Sequence, residues 1–175
     1  SRFGYSIAAE GNGLVVGAYT HNNTGAAFVY DLSDLSTQPT DITPSGLASG
    51  DHFGYKSVEI SDSIIAIGSR LDDTVAENSG AVYVFDRSDL SAVPTKLTPT
   101  ELEANSRFGQ NGIVIEGTKL IVGCQGDDST DGSDTGSVFI YDTTDLTAAP
   151  TILQEPTPSA SSNFGAAIAL SAAVS

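Results

Sequence analysis

Asp127, Ser129, Asp131 and Asp134 are the residues whose types and spacing best suit chemistry. Oxygen-bearing side chains alternate at 127, 129 and 131, Gly132 follows as a turn residue, and Asp134 adds another carboxylate. Alternating hard oxygen donors ahead of a glycine can wrap a hard cation, so these four are candidate Ca²⁺ ligands. The bidentate acid that closes an EF-hand loop is missing, and a solvated Asp/Ser/Gly turn has the same composition. Asn22-Asn23-Thr24 is an N-glycosylation triplet, which makes Asn22 a candidate modification site on a secretory route.

Other chemistry is thin. His21 and His52 are the only histidines, and no Ser/His/Asp constellation, phosphate-cradling glycine loop or histidine metal site is present. Asp72-Asp73 is a carboxylate pair of the kind used in glycoside hydrolysis, but the two are adjacent on one loop. No enzyme is expected. Cys124 is the one cysteine, which excludes an intrachain disulfide. It follows Gly123 where Ala18 and Ser69 follow equivalent glycines, so it is expected to be a small buried residue.

The charge balance is 22 Asp and Glu against 7 Lys and Arg, a formal net charge of −15. Such a surface repels nucleic acid and anionic membranes, so neither is an expected partner. It suits solubility, cation binding or a salty extracellular setting. No apolar run reaches membrane-spanning length. With no methionine in it, the chain is expected to be a piece of a longer polypeptide.

What must position the candidate residues is a repeat. Phe3-Gly4, Phe53-Gly54, Phe108-Gly109 and Phe164-Gly165 follow one another at spacings of 50, 55 and 56 residues. Between them the landmarks recur in order: a glycine ends an apolar run (Gly17, Gly68, Gly123), and a second opens an aromatic run (Gly25, Gly80, Gly136). An aspartate closes that run (Asp31, Asp86, Asp142), and Pro-Thr follows (Pro39, Pro94, Pro150). A fixed period of this length means stacked supersecondary units, here at about 3–52, 53–107 and 108–163, with a partial unit from 164 to 175.

Each unit splits into four strands. Val58 and Ile60 alternate with polar neighbours, as in a half-buried strand. Leu14–Val16, Ile64–Ile67 and Leu120–Val122 are short unbroken apolar runs, buried on both faces. The closing glycine of each is expected where two backbones approach closely. In the third strand Phe28 and Tyr30, Tyr83 and Phe85, and Phe139 and Tyr141 sit two apart, with Val29, Val84 and Ile140 on the opposite face. Neither face is polar, which requires a neighbouring sheet on each side. A polar turn leads to a proline-bracketed fourth strand suited to an outer edge. The fold class is therefore all-β: propeller blades of four antiparallel strands, three complete units plus the first strand of a fourth, part of a larger propeller.

The Phe-Gly pairs, the apolar runs ending in Gly17-Ala18-Tyr19, Gly68-Ser69-Arg70 and Gly123-Cys124-Gln125, and the Gly-Ala/Ser before each aromatic strand resemble the FG-GAP repeat of integrin α-subunit propellers. The proline of the family's Gly-Ala-Pro triplet is absent from every copy. The interval that holds the family's calcium loop is too short here to carry those ligands over. The resemblance implies a non-enzymatic extracellular or cell-surface module whose loops make protein–protein or protein–glycan contacts. Its missing blades would come from the same polypeptide or another copy. The alternatives are a calcium-assisted, lectin-like glycan binder, with Ca²⁺ in the Asp127 loop, and a non-catalytic domain of a larger secreted enzyme. The loops before Gly25, Gly80 and Gly136, where the repeats differ, are the expected seat of recognition.

Overall fold

The computed structural model describes residues 1–128 and 134–169. Strands form where the apolar runs lie. In the first repeat β1 (Ser6–Glu10), β2 (Gly13–Gly17), β3 (Ala27–Asp31) and β4 (Thr40–Asp41) make one antiparallel sheet in that order. In the second, β5 (Phe53–Ile60), β6 (Ile64–Ser69), β7 (Ala81–Asp86) and β8 (Thr95–Leu97) repeat the order. In the third it is β9 (Ile113–Glu116), β10 (Lys119–Cys124), β11 (Ser137–Asp142) and β12 (Thr151–Gln154). The three expected four-stranded units are present. The expected first strand of a fourth is not found at 164–169, where the Ala166 N–H bonds the Asn163 carbonyl at 3.0 Å and closes a turn. Residues 170–175 lie outside the described residues.

Register explains the core. Ile60, Ile65 and Phe85 lie opposite one another across β5, β6 and β7, as do Val58, Ile67 and Tyr83. Cross-strand partners share a face, so these six present one bulky face. Ala66 and Val84 present a smaller face on the other side. The bulky face packs on Val15, Ala27 and Ile42 of the first sheet. The smaller face packs on Ile113, Leu120, Val122, Phe139 and Tyr141 of the third. Both faces of β7 are covered, as its apolar sequence requires: Ala81 to Phe85 are all buried.

The first strands run beside one another, β1 against β5 and β5 against β9. The fourth strands lie on the opposite edges, and β4 and β12 are exposed throughout. The turns leading to them are fixed by their own side chains. Asp31 Oδ1 accepts the Ser33 N–H at 2.8 Å and its hydroxyl at 2.6 Å, and the same pairing recurs at Asp86–Ser88 and Asp142–Thr144. These hydrogen bonds hold the three aspartates below the usual carboxylate range, with Lys119 adding first to the effect at Asp142.

Candidate functional site

The repeated residues build a joint. The Phe53 N–H donates to the Thr24 carbonyl at 3.0 Å, Phe108 to Ser79 at 2.8 Å, and Phe164 to Thr135 at 2.8 Å. Each Phe-Gly thus docks on the sheet before it. Its ring packs within its own sheet: Phe53 against Tyr83 and Phe85, Phe108 against Phe139 and Tyr141, with centroids 5.2 to 6.4 Å apart. A β-carbon on Gly17, Gly68 or Gly123 would collide with the carbonyl of Gly54, Gly109 or Gly165. The glycine that ends each apolar run is therefore the seat for the next repeat's Phe-Gly, the close approach its position implied.

The loops between the second and third strands serve the same joint. The carbonyls of Asn23, Glu77 and Asp134 accept the N–H groups of Gly50, Asn105 and Asn163 at 2.7, 2.8 and 3.0 Å. These loops are braced against the segment that leads into the next Phe-Gly rather than left free.

The candidate residues scatter across this frame. Asp127 is buried at the start of its loop, and Asp134 is exposed with φ 53°. Asp134 donates its N–H to Asp128 Oδ1 at 2.6 Å. Ser129 and Asp131 lie outside the described residues. Asn22 is exposed on a short 3₁₀ turn, His21–Asn23. Asp72 and Asp73 part company: Asp72 is buried, while Asp73 is exposed and accepts the Asn78 N–H at 2.6 Å. Cys124 is buried and donates to the Ser106 carbonyl at 3.2 Å. Burial pushes its thiol well up, the inert behaviour expected of a small core residue.

Asp72 and Asp127 occupy the same place in successive repeats. Each stands four residues after its closing glycine, and each backbone carbonyl accepts the N–H of the next glycine, Gly80 at 3.0 Å and Gly136 at 2.9 Å. Asp72 is neutralised: Lys96 Nζ lies 2.7 Å from its Oδ2, and the Tyr83 hydroxyl 3.3 Å. Burial raises Asp72, but Lys96 and Thr74 outweigh it and hold the carboxyl below its ordinary value. In the third repeat Phe139 pairs with Ile152 where Tyr83 pairs with Lys96. Asp127 has no cation partner among the described residues. Burial pushes it up, and Glu103, Asp128 and Glu101 add to the rise against a hydrogen bond from Ser137.

A second group was missed in the sequence. Before the first three Phe-Gly pairs stand Arg2, His52 and Arg107, with φ of 47°, 57° and 55°. A left-handed backbone there aims side chains that extended backbone would not, at a cost of about 1 kcal/mol each. After the same three pairs stand Tyr5, Tyr55 and Gln110, and the second residue after the closing glycine is Tyr19, Arg70 or Gln125. The signal was available in these aligned columns, beside the landmarks rather than in the variable loops.

The structure brings these columns together at one end of the first strands. Tyr19 lies 4.7 Å, centroid to centroid, from both Tyr5 and Tyr55, and 5.1 Å from His52. The Arg70 guanidinium stands 4.3 Å over Tyr55, Lys56 Nζ 5.5 Å over the same ring, and Arg2 5.3 Å over Tyr19, whose hydroxyl Arg2 also bonds. Arg70 Nη2 lies 3.1 Å from His52 Nδ1. Arginine only donates, so Nδ1 accepts and the neutral ring carries its proton on Nε2. Burial lowers His52 below the usual histidine range, and Arg70 and Arg2 lower it further.

A cleft of 530 Å³ lies elsewhere, on the outer side between Ile42–Gly46 and Leu90–Pro94, and one of 330 Å³ repeats it between Leu97–Glu101 and Leu146–Pro150. Their equivalence marks them as crevices of the repeated joint. Among the described residues no helix is long and apolar enough to cross a membrane.

The sequence pattern of the FG-GAP repeat matches residues 1–30, 37–85 and 94–141. No curated protein matches the chain. Among solved structures, the crystal structure of the computationally designed Ika4 protein is similar, with a TM-score of 0.52 over 91% of this chain and 74% of that one. The identity is 14%, so the likeness is one of fold.

Proposed function

The chain belongs to the FG-GAP repeat family, and on that premise we propose that it is a non-enzymatic recognition module of an extracellular or cell-surface protein. It contacts protein or glycan ligands through the face carrying the loops between second and third strands. The observation that supports this is the division of labour between residues. Phenylalanines and glycines that recur are consumed by the joint, while the loops that differ are braced against the segment that leads into the next Phe-Gly and so held rigid. Preorganised loops on a stiff scaffold lose little entropy on binding. Further blades from the same polypeptide or another copy complete the assembly. The test is to replace residues 71–79 with the shorter 20–24 sequence and measure binding to panels of immobilised glycans and extracellular proteins. Loss of a ligand by a variant that still melts cooperatively supports the proposal, and a chain that binds nothing before substitution overturns it.

The contrast between Asp72 and Asp127 favours a second reading, in which Ca²⁺ assists glycan binding at the third loop. Asp127 is a buried carboxylate among acids, without the lysine its counterpart has, which suits a hard cation. Asp127 and Asp134, with Ser129 and Asp131, would hold the ion. Its charge would neutralise Asp127 and offer open positions to sugar hydroxyls.

A further inference from the structure

Cations are scarce in this chain, and their placement is uneven. Of the seven lysines and arginines, Arg87, Lys96 and Lys119 each pair with a carboxylate. Arg2, Lys56, Arg70 and Arg107 form no ion pair with any described residue, although the chain carries 22 acids. Three of these unpaired cations, Arg2, Lys56 and Arg70, lie on the tyrosine cluster, which forms a rim at one end of the first strands. Arg70 is instead partnered by a neutral histidine, and its Nε–H is enclosed without an acceptor, as is that of Arg107. Like charges gathered without counterions repel one another, and enclosed donors without acceptors are costly. An arriving anion relieves the repulsion.

We propose that this rim, built from Tyr5, Tyr19 and Tyr55 with Arg2, Lys56 and Arg70, binds a carboxylated sugar. Each part of the ligand answers a feature of the rim. The carboxylate meets the arginines and the lysine, whose side chains are already fixed over aromatic rings and lose little freedom on binding. Tyr5 is 44% exposed and offers a ring on which the apolar face of a pyranose can lie. The Nε2–H of His52 is a neutral donor for a hydroxyl. A neutral sugar leaves the cations unanswered. A dense polyanion such as nucleic acid meets the field of a chain with net charge −15. A short acidic oligosaccharide satisfies the rim with far less of that penalty.

The inference rests on taking this face as a recognition surface. Its probe pair is trigalacturonate and the methyl ester of the same trisaccharide, which keeps the rings and removes the charge. Calorimetric titration of the full chain at low ionic strength is expected to give about tenfold tighter binding of the acid than of the ester. Lys56→Gln and Arg70→Gln should each weaken the acid about fivefold and leave the ester unchanged, whereas Tyr5→Ser should weaken both. Lys119→Gln removes the same charge away from the rim and should change neither. Lys56 is exposed, so its variant keeps the test decisive if Arg70→Gln does not fold. Sulfated trigalactose should bind more weakly than the acid, and equal affinity would overturn recognition of the carboxylate. Equal affinity for acid and ester, no binding at millimolar acid, or displacement of bound acid by a Glu-rich peptide at lower concentration would overturn the proposal. If the acid fails while a different ligand is lost on replacing 71–79, the rim proposal falls and the recognition reading stands. If no ligand binds in either experiment, both fall.

Discussion

The carbonyl oxygen of Gly109 sits where a β-carbon of residue 68 would stand, so the second and third sheets meet backbone to backbone at Gly68. The Gly68 backbone is not left-handed, and the demand for glycine is one of space alone. Gly68→Ala must therefore push the sheets apart, and a destabilisation of about 3 kcal/mol is expected from overpacking a buried joint. Gly46→Ala meets nothing within 4 Å and should stay within about 0.5 kcal/mol of the parent. Urea unfolding of the two variants checks the contrast, and equal midpoints would remove the joint from the account.

The Phe-Gly rings are graded by what covers them. Phe108 is fully buried between the second and third sheets, whereas Phe3, equivalent in sequence, is 54% exposed. Phe108→Ala removes a closely packed ring and leaves a cavity, with an expected loss of about 4 kcal/mol. Phe3→Ala should lose about 1 kcal/mol or less, since most of its surface already faces water. Thermal melts of both variants decide this, and a comparable fall in Tm for Phe3→Ala would show that position alone sets the cost.

The period made the fold legible. Twofold alternation and apolar runs located the strands, because a sheet covered on both faces leaves no room for polar residues at Val82 or Val84. What the sequence hid was partnership. Asp72 and Asp73 look alike as adjacent loop acids, yet one is buried on Lys96 and the other caps a turn at Asn78. That difference depends on the fourth strand bringing Lys96 alongside β7, a long-range pairing no local pattern encodes. The tyrosine rim was hidden for another reason. Its members come from three separated columns, and only the docking of each Phe-Gly on the preceding sheet assembles them.

Acidification should weaken the fold through His52. Its folded pKa lies below the unfolded value near 6.5, so the unfolded chain takes up the proton first. Between the two values the unfolded state binds more protons, and stability rises with pH; it falls as pH drops through 6.5 and the loss is complete below the folded value. The groups facing the ring are Arg70, Arg2, Tyr19 and Tyr55, and none of them is a carboxylate that could hold the imidazolium. Melting temperatures measured from pH 7.5 down to 5.5 should fall further in the parent than in His52→Gln, a comparison in which the raised Asp127, common to both, cancels. A parallel decline in both would assign the effect elsewhere.

The pairing of Lys96 with Asp72, set against Ile152 beside Phe139 in the next repeat, gives the calcium reading a test that needs no ligand beyond the ion. Lys96→Met strands a buried carboxylate and should cost about 2 kcal/mol, a value reduced because Lys96 is itself partly exposed. Adding Asp72→Asn should restore much of that loss, since the penalty lies in the unpaired charge. At the third repeat the argument runs in reverse. Ile152→Lys places an ammonium where Lys96 stands and should stabilise the chain by about 1 kcal/mol. If Ca²⁺ supplies that charge in the parent, millimolar Ca²⁺ should raise its Tm. The same addition should leave Asp127→Asn and Ile152→Lys unmoved, because one has lost its carboxylate and the other carries its own cation. A parent whose Tm ignores Ca²⁺, or an Ile152→Lys variant that still responds in full, would leave Asp127 as a structural acid with no ion to hold.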